Sequence, residues 1–226
     1  MLTLGQFSLL RDLAEAKRPL TQETLNSSVG QALHAKGFID SGSITPMGLE
    51  ALEPFKVDNA VIMAAGFSSR FAPLSYETPK GLTSVRGEKL IERQIRQLKA
   101  AGIDEIIVVV GYKKALFEYL EERFGVTIVE NHEYSKRNNH SSLWAVRGHL
   151  KNSYICSVDN YFVENPFHLY EMGAFYSAEF AAGETSEWCM EVDQNNQISS
   201  VQVGGKDAWY MIGHACLLYT SPSPRD

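Results

Sequence analysis

Apolar and polar positions follow two rhythms along this chain, and the change falls near Val57. Before it, apolar residues recur at helical spacing. Phe7, Leu9, Leu10 and Leu13 share one face of a first helix. Leu20-Thr21-Gln22-Glu23 reads as a helix entry with Thr21 as cap before Leu25, and a third helical stretch runs from Val29 to Lys36 and stops at Gly37. Phe38 to Thr45 then reads as two short extended segments about a turn, and Pro46 to Leu52 as a last helical turn.

From Asn59 onward, strand and helix patterns alternate. Val61 to Ala64 predicts a strand, and Glu88 to Ala101 a helix with Leu90, Ile91, Ile95 and Leu98 on one face, closed by Gly102. Ile106 to Val110 is an unbroken β-branched run, which suits a parallel strand covered on both faces. Lys113 to Phe124 predicts a helix, Val126 to Val129 a strand, Ser141 to Leu150 a helix and Ser153 to Val158 a strand. Repeated units of this length imply a right-handed, doubly wound, mostly parallel α/β sheet with ligands at the carboxyl ends of its strands. Past Pro166, Tyr176 to Ala181, Glu187 to Val192 and Ile198 to Val203 look strand-like, with a hairpin turn at Asp193-Gln194-Asn195-Asn196, so a mixed or antiparallel extension is expected. The expected division is residues 1–57, 58–216 and 217–226. The last stretch, Leu217 to Asp226, continues neither rhythm, and its prolines and hydroxyl residues give it the look of appended, non-native sequence at an incomplete C-terminus.

Composition narrows the function classes. With 226 residues and 44% hydrophobic content the chain can bury a sizeable core, and a formal net charge of -6 argues against a surface built throughout for nucleic acid. Cys156, Cys189 and Cys216 are widely spaced, without a C-x-x-C pair, so neither a disulfide framework nor a zinc site is suggested. The histidines show no ligand spacing. With no membrane-spanning run and no leader pattern, a cytoplasmic protein is expected, and no feature fixes its oligomeric state.

The chemistry is concentrated in one stretch. The strand Val61-Ile62-Met63-Ala64 runs into Ala65-Gly66-Phe67-Ser68-Ser69-Arg70, and Pro79-Lys80 follows. A small-residue turn after a buried strand offers backbone N–H groups, and Arg70 and Lys80 bring two cations, so Ala64, Ala65, Gly66, Ser68 and Ser69 form a candidate phosphate loop. Neither G-x-x-x-x-G-K-[ST] nor G-x-G-x-x-G is present, which disfavours Walker-type and dinucleotide folds. A second element is Ser157-Val158-Asp159-Asn160-Tyr161 at the end of an apolar strand. Asp159 there is either a turn former or, paired with the Gly66 loop, a ligand for Mg²⁺, which takes one or two carboxylates plus phosphate oxygens. In a third element, Asn138, Asn139 and Ser141 stand where a strand hands over to a helix; the amides can read a base edge, and Ser141 can also simply cap the helix.

The pattern A-A-G-x-S-S-R-F-x-P-L, then P-K with Lys80 ten residues after Arg70, resembles the signature of nucleotidyltransferases that join a nucleoside triphosphate to a sugar phosphate or phosphocholine and release pyrophosphate. Together with "GEKLIERQIRQLKAAGIDEIIVVVGYK", "RNNHSSLWAVRGHLKNSYICSVDNYF" and, more weakly, "SEWCMEV" and "GGKDAWYMIGHA", residues 59 to 215 resemble the bacterial CTP:phosphocholine cytidylyltransferases of the LicC type. The resemblance implies a Rossmann-like, GT-A-like fold in which the Ala65-Gly66 loop holds the CTP phosphates, Arg70 and Lys80 act catalytically at the α-phosphorus, Asp159 binds Mg²⁺ and the segment from Asn138 to Ser142 lies near cytosine. Ser68-Ser69 replaces the more familiar glycine and threonine, and a further acidic segment of the family has no counterpart here. A choline acceptor asks for aromatic faces and a carboxylate; Tyr161, Glu187 and Trp188 are the candidates, with Trp209 and Tyr210 beside them, against a plain core role for each aromatic. Competing readings are a sugar-1-phosphate or molybdopterin-type transferase, or a nucleotide-sensing regulator without turnover. The last gains weight from residues 1–57, whose "HAKGFIDSGSITPMGLEAL" resembles the winged-helix domains of MarR-type regulators. The stretch from Thr21 to Gly37 is shorter than the usual two-helix unit, and its candidate recognition helix offers only His34 and Lys36 as basic groups, so a packing role is expected ahead of DNA binding.

Overall fold

Thr3 opens the first helix, α1 (Leu4–Ala14), by a reciprocal capping box in which its hydroxyl accepts from the Gln6 N–H while the Gln6 side chain reaches back to the Thr3 N–H. The computed structural model describes residues 2–16, 21–68 and 71–218. Hydroxyl caps recur: Thr21 opens α2 (Gln22–Asn26), Ser27 opens α3 (Ser28–Ala35) and, after a small antiparallel pair of β1 (Ile39–Asp40) and β2 (Ser43–Ile44), Thr45 opens α4 (Pro46–Leu52). Each such cap stabilises its helix by about 1 kcal/mol. Phe7, Leu10, Leu33, Ile39 and Leu52 pack into one apolar cluster together with Tyr170 from the far end of the chain. Glu15 strengthens that junction by accepting from the Leu169 N–H at 2.8 Å and pairing with His168 Nδ1 at 2.7 Å.

The main sheet is built from β3 (Asn59–Ala64), β6 (Glu105–Val110), β7 (Thr127–Glu130), β8 (Ser153–Ser157), β9 (Phe175–Val192) and β10 (Ile198–Leu217), in the order β7-β6-β3-β8-β10-β9. A separate hairpin joins β4 (Ser84–Val85) to β5 (Glu88–Lys89). The first four strands in that sheet order run parallel, and β10 pairs antiparallel with β8. Residues of β3 and β6 alternate between two apolar layers. Ala60, Ile62, Val108 and Val110 meet Ile91, Ile95 and Leu98 of α5 (Leu90–Ala100) and Leu120 of α6 (Tyr119–Phe124), while Val61, Ile107 and Val109 meet Val146 and Leu143 at the end of α7 (His140–Ala145). Both faces are therefore covered, as the unbroken apolar runs require, and each fully buried Val, Ile or Leu contributes about 1.5–3 kcal/mol.

The structure departs from the sequence pattern at several elements. Glu88 and Lys89 do not begin a helix; they pair with Val85 and Ser84 across a turn in which Arg86 and Gly87 both take positive φ, and the helix starts at Leu90. Lys113, at φ 52°, lies in the left-handed region, so the stretch after it is a 3-10 turn at Lys114–Leu116 before α6 rather than one helix. α7 is shorter than expected because the chain leaves helical geometry at Val146 (φ -106°, ψ 11°). The three short strands expected past Pro166 are two long ones, because β-bulges, one beside Gly204, absorb the polar interruptions without breaking the pairing. The turn between them is held as expected by Asp193, whose carboxylate accepts from the Asn195 and Gln197 N–H groups. Leu217 pairs with Ser153 and Leu218 is buried, so the sheet takes in the first residues of the stretch that sequence sets apart; residues 219–226 lie outside the described residues.

Candidate active site

Because β3, β6, β7 and β8 are parallel, their carboxyl ends share one edge, and the strand order reverses direction about β3, with β6 on one side and β8 on the other. That is where open α/β sheets form their ligand crevice. The loop after β3 lies there. Ala64 and Ala65 are buried and Gly66 is exposed, and a Cβ added at Gly66 would meet nothing within 4 Å. Among the described residues the space over Gly66 is open. The left-handed residue of this loop is Ser68, at φ 53°, not the glycine. Ser69 and Arg70, both expected site residues, lie outside the described residues.

Lys80 and Asp159 are brought together. Lys80 Nζ lies 2.6 Å from Asp159 Oδ2, with about a third of each side chain exposed. The contact depends on a close approach behind it: Gly81 faces Val158 so tightly that an added Cβ would stand 2.3 Å from Val158 Cγ2. Any larger residue would push the Lys80 turn away from the strand end that carries Asp159.

The loops after β6 and β7 close the other side. The Tyr112 N–H donates to the Ala65 carbonyl at 3.1 Å, and Lys113 Nζ donates to the carbonyls of Tyr76 and Glu77, which lie shortly before Pro79-Lys80. Phe67 packs against the rings of Tyr112 and Tyr134, with centroids 5.3 and 5.1 Å away. Tyr134 in turn lies on Gly111, whose added Cβ would strike the ring at 2.6 Å. This aromatic contact ties the segment after β7, at Tyr134, to the Gly66 loop. Asn138 and Asn139 are exposed at its end, with free faces toward solvent. Ser141 is not the α7 cap: it is buried, donates to the Asn138 carbonyl and accepts from Asn131 Nδ2 at 2.9 Å.

The acceptor candidates fall on two elements. Tyr161, just past Asp159, already presents its ring to Arg93 at 4.7 Å and Arg86 at 5.9 Å. Glu187 and Trp188 stand on the β9–β10 ribbon. Since His214 pairs with Cys156 near the end of β8, the residues before His214 run on past the carboxyl edge, and Asn160 Nδ2 donates to the Ile212 carbonyl at 2.8 Å. The ribbon therefore rises from the same edge as Asp159, and Trp188 is 56% exposed opposite Val203. Trp209 packs edge-on against Phe180, and Tyr210 donates to Glu179. Sequence reasoning missed Lys113 and Gln94, whose partners lie 36 to 66 positions away along the chain, and Asn131, whose side-chain bonds to Ser141 and Ser142 form only when the loop between them folds back.

A family model described as a MobA-like NTP transferase domain matches residues 60–189. The chain belongs to this family. Among curated relatives of this MobA-like transferase, a 2-aminoethylphosphonate cytidylyltransferase from Lancefieldella rimae is 41% identical over 161 residues, covering 69% of this chain and 65% of that protein. A choline-phosphate cytidylyltransferase from Streptococcus pneumoniae is 38% identical over 147 residues, covering 65% of this chain and 64% of that protein. The chain thus spans a little under two thirds of the length of these relatives. The solved structure of CTP:phosphocholine cytidylyltransferase from Streptococcus pneumoniae superposes with a TM-score of 0.68 at 36% identity, covering 72% of this chain and 71% of that one. A UDP-glucose pyrophosphorylase, at 14% identity and a TM-score of 0.58, shares the fold.

Among the described residues no three His, Cys, Asp or Glu side chains are grouped to hold a metal ion, and no helix is long and apolar enough to cross a membrane. A single exposed carboxylate at Asp159 nonetheless suits a hard cation that draws its remaining ligands from phosphate and water.

Proposed function

We propose that this transferase moves CMP from CTP to a small phosphorylated acceptor, phosphocholine first, and releases pyrophosphate. The observation that carries the reading is the Lys80–Asp159 pair at the carboxyl edge beside the open Gly66 loop, in a chain whose relatives include cytidylyltransferases. An acceptor oxygen attacks the α-phosphorus of CTP in line, the bond from that phosphorus to the bridging oxygen of the β-phosphate breaks, and pyrophosphate carries away the electron pair. No protein nucleophile is needed; the chain supplies position and charge. Backbone N–H groups about Ala65 and Gly66 hold the phosphates, Lys80 and Arg70 offset the charge that builds on the attacked group, and Asn138 and Asn139 read the cytosine edge. Asp159 would hold Mg²⁺, which supplies further neutralisation of the phosphate oxygens when bound.

The acceptor carries a cationic nitrogen and an oxyanion on phosphorus. Aromatic faces at Tyr161 and Trp188 with the Glu187 carboxylate suit the cation. A second acceptor, 2-aminoethylphosphonate, is favoured by the relative at 41% identity and shares both features. Residues 2–57 are assigned a packing role: Glu15 ties them to the segment at His168, and Lys36, one of the two basic groups of the candidate recognition helix, donates to Gln6 at 3.1 Å.

Pyrophosphate release and product mass with CTP, UTP or GTP against phosphocholine, 2-aminoethylphosphonate and glucose 1-phosphate test the reading. A product in which CMP is joined through a P–O–P bond to either cationic acceptor supports it, whereas turnover with UTP or GTP and glucose 1-phosphate alone, or none at all, overturns it.

A further inference from the structure

Helix α5 lies beneath the loop that delivers Asp159 and grips its backbone. Gln94 is 1% exposed, and its Nε2 donates to the carbonyl oxygens of both Ser157 and Asn160, each at 2.9 Å. Those carbonyls bracket Val158 and Asp159. A primary amide has two N–H donors, and here each has an acceptor on one side of the residue that carries the carboxylate. Gly81 also packs closely on Val158, so the step from Ser157 to Asn160 is held both by Gln94 and by the turn that bears Lys80.

Gln94 keeps this grip at a cost to itself. Its Oε1, like that of Gln97, is buried and has no hydrogen-bond partner among the described residues, a condition that folded proteins rarely tolerate. Methionine is of similar length and lacks that orphaned acceptor. What the amide provides that methionine cannot is the pair of bonds about Asp159. One turn further along α5, Gln97 makes the same kind of double contact, to the carbonyls of Phe162 and Glu164 at 3.1 Å, but past the carboxylate.

We propose that Gln94 is a positioning residue of the transferase site, which sets the Asp159 carboxylate in register with Lys80. The inference rests on the transferase reading above, and one arm of its test does not depend on turnover. In the full chain, Gln94→Met and Gln94→Glu are compared with wild type, Asp159→Asn and the neighbouring control Gln97→Met. Limiting acetylation followed by mass spectrometry reads how freely Lys80 reacts relative to Lys151. In both Gln94 variants Lys80 labelling is expected to rise toward the Asp159→Asn rate, and Gln97→Met to stay at the wild-type rate. In steady state the Gln94 variants are expected to lose on the order of tenfold or more in kcat, with KM for CTP within about threefold of wild type. Lys80 labelling at the wild-type rate in both Gln94 variants, or an equal rise in Gln97→Met, overturns the proposal. So does an unchanged kcat. A wild-type chain that makes no product with any nucleotide refutes the transferase reading instead, and the labelling arm still decides whether Gln94 sets the Lys80–Asp159 pair.

Discussion

Lys80 Nζ and Asp159 Oδ2 lie 2.6 Å apart, although their residues are separated by 79 positions in sequence. With more than a third of each side chain in solvent, the ion pair itself contributes about 0–1 kcal/mol to folding. Its position at the open crevice edge gives it another use: a nucleotide phosphate competes for the lysine, and a divalent cation for the carboxylate. Lys80→Ala and Asp159→Asn are therefore expected to leave the urea midpoint nearly unchanged while lowering kcat by about 10²-fold or more, equivalent to roughly 3 kcal/mol of transition-state stabilisation. Urea denaturation and pyrophosphate release, measured side by side, check this; turnover that survives Lys80→Ala removes Lys80 from the mechanism.

Lys113 holds the approach to that pair. Its backbone is left-handed, a geometry that costs roughly 1–2 kcal/mol for a residue with a Cβ, and its ammonium reaches the carbonyls of Tyr76 and Glu77. These contacts pin the loop that ends in Pro79-Lys80 to the turn after β6. Lys113→Met is expected to lower kcat/KM for CTP by about tenfold through a looser Lys80, with partial recovery in Lys113→Arg, which keeps a donor. Steady-state kinetics of the two variants decide it. Equal loss in both would mean that the side chain's shape, not its hydrogen bonds, matters.

The parts of this molecule that were legible in the sequence are those whose physics is local. The runs at Val61 to Ala64 and Ile106 to Val110 are apolar throughout because both faces of β3 and β6 are covered, and their short length and β-branched residues suit a central strand. Thr21 could be read as a cap from its neighbours alone. Lys80, in the Pro79-Lys80 pair after the Gly66 loop, and Asp159, at a strand end, were each legible as candidate chemistry, but the contact between them was not, since it depends on Gly81 meeting Val158. Gln94 was hidden for the same reason. In "LIERQIRQLKA" it reads as part of a polar face, and only the fold turns that face toward backbone carbonyls 63 and 66 positions away. The length of the β9–β10 ribbon was also hidden: an exposed two-stranded ribbon tolerates Gly183 to Ser186 within a strand because neither face demands apolar side chains.

Asn131 organises the segment proposed to read the base. It is 3% exposed, donates to Ser141 Oγ at 2.9 Å and Ser142 Oγ at 3.1 Å, and accepts from the Glu133 N–H at 2.9 Å. Removing it leaves the buried Ser141 and Ser142 hydroxyls without this donor, at about 1–3 kcal/mol each. Asn131→Ala is therefore expected to lower the unfolding free energy by roughly 2–3 kcal/mol and to raise KM for CTP, because Asn138 and Asn139 lose their anchored start to α7. Urea denaturation and nucleotide titration test both halves. A loss of stability with unchanged nucleotide affinity would separate this network from base recognition.

His214 sets the acid limb of stability. Its ring stacks on Tyr154 at 5.6 Å and is walled by Phe162, Phe167 and Phe175 at 5.2 to 5.4 Å. Nδ1 meets Ser177 Oγ at 2.9 Å, while Nε2 is buried and has no hydrogen-bond partner among the described residues. Burial disfavours the imidazolium and pushes the pKa down to about 4. Between that value and the ordinary histidine value of about 6.5, the unfolded chain binds more protons than the folded one, so stability falls as the pH is lowered through the window and is fully present above it. The loss at the acid end reaches roughly 3 kcal/mol. Glu171, which accepts from the Tyr154 hydroxyl, works in the opposite sense: burial holds its carboxyl above the usual range, so its contribution declines as pH rises. Replacing the imidazole with a ring that does not titrate isolates the first effect. His214→Phe is expected to forfeit the Ser177 contact at every pH but to flatten the decline between pH about 6.5 and about 4. Urea midpoints across that range check it, and parallel declines in wild type and variant would assign the acid limb to other groups.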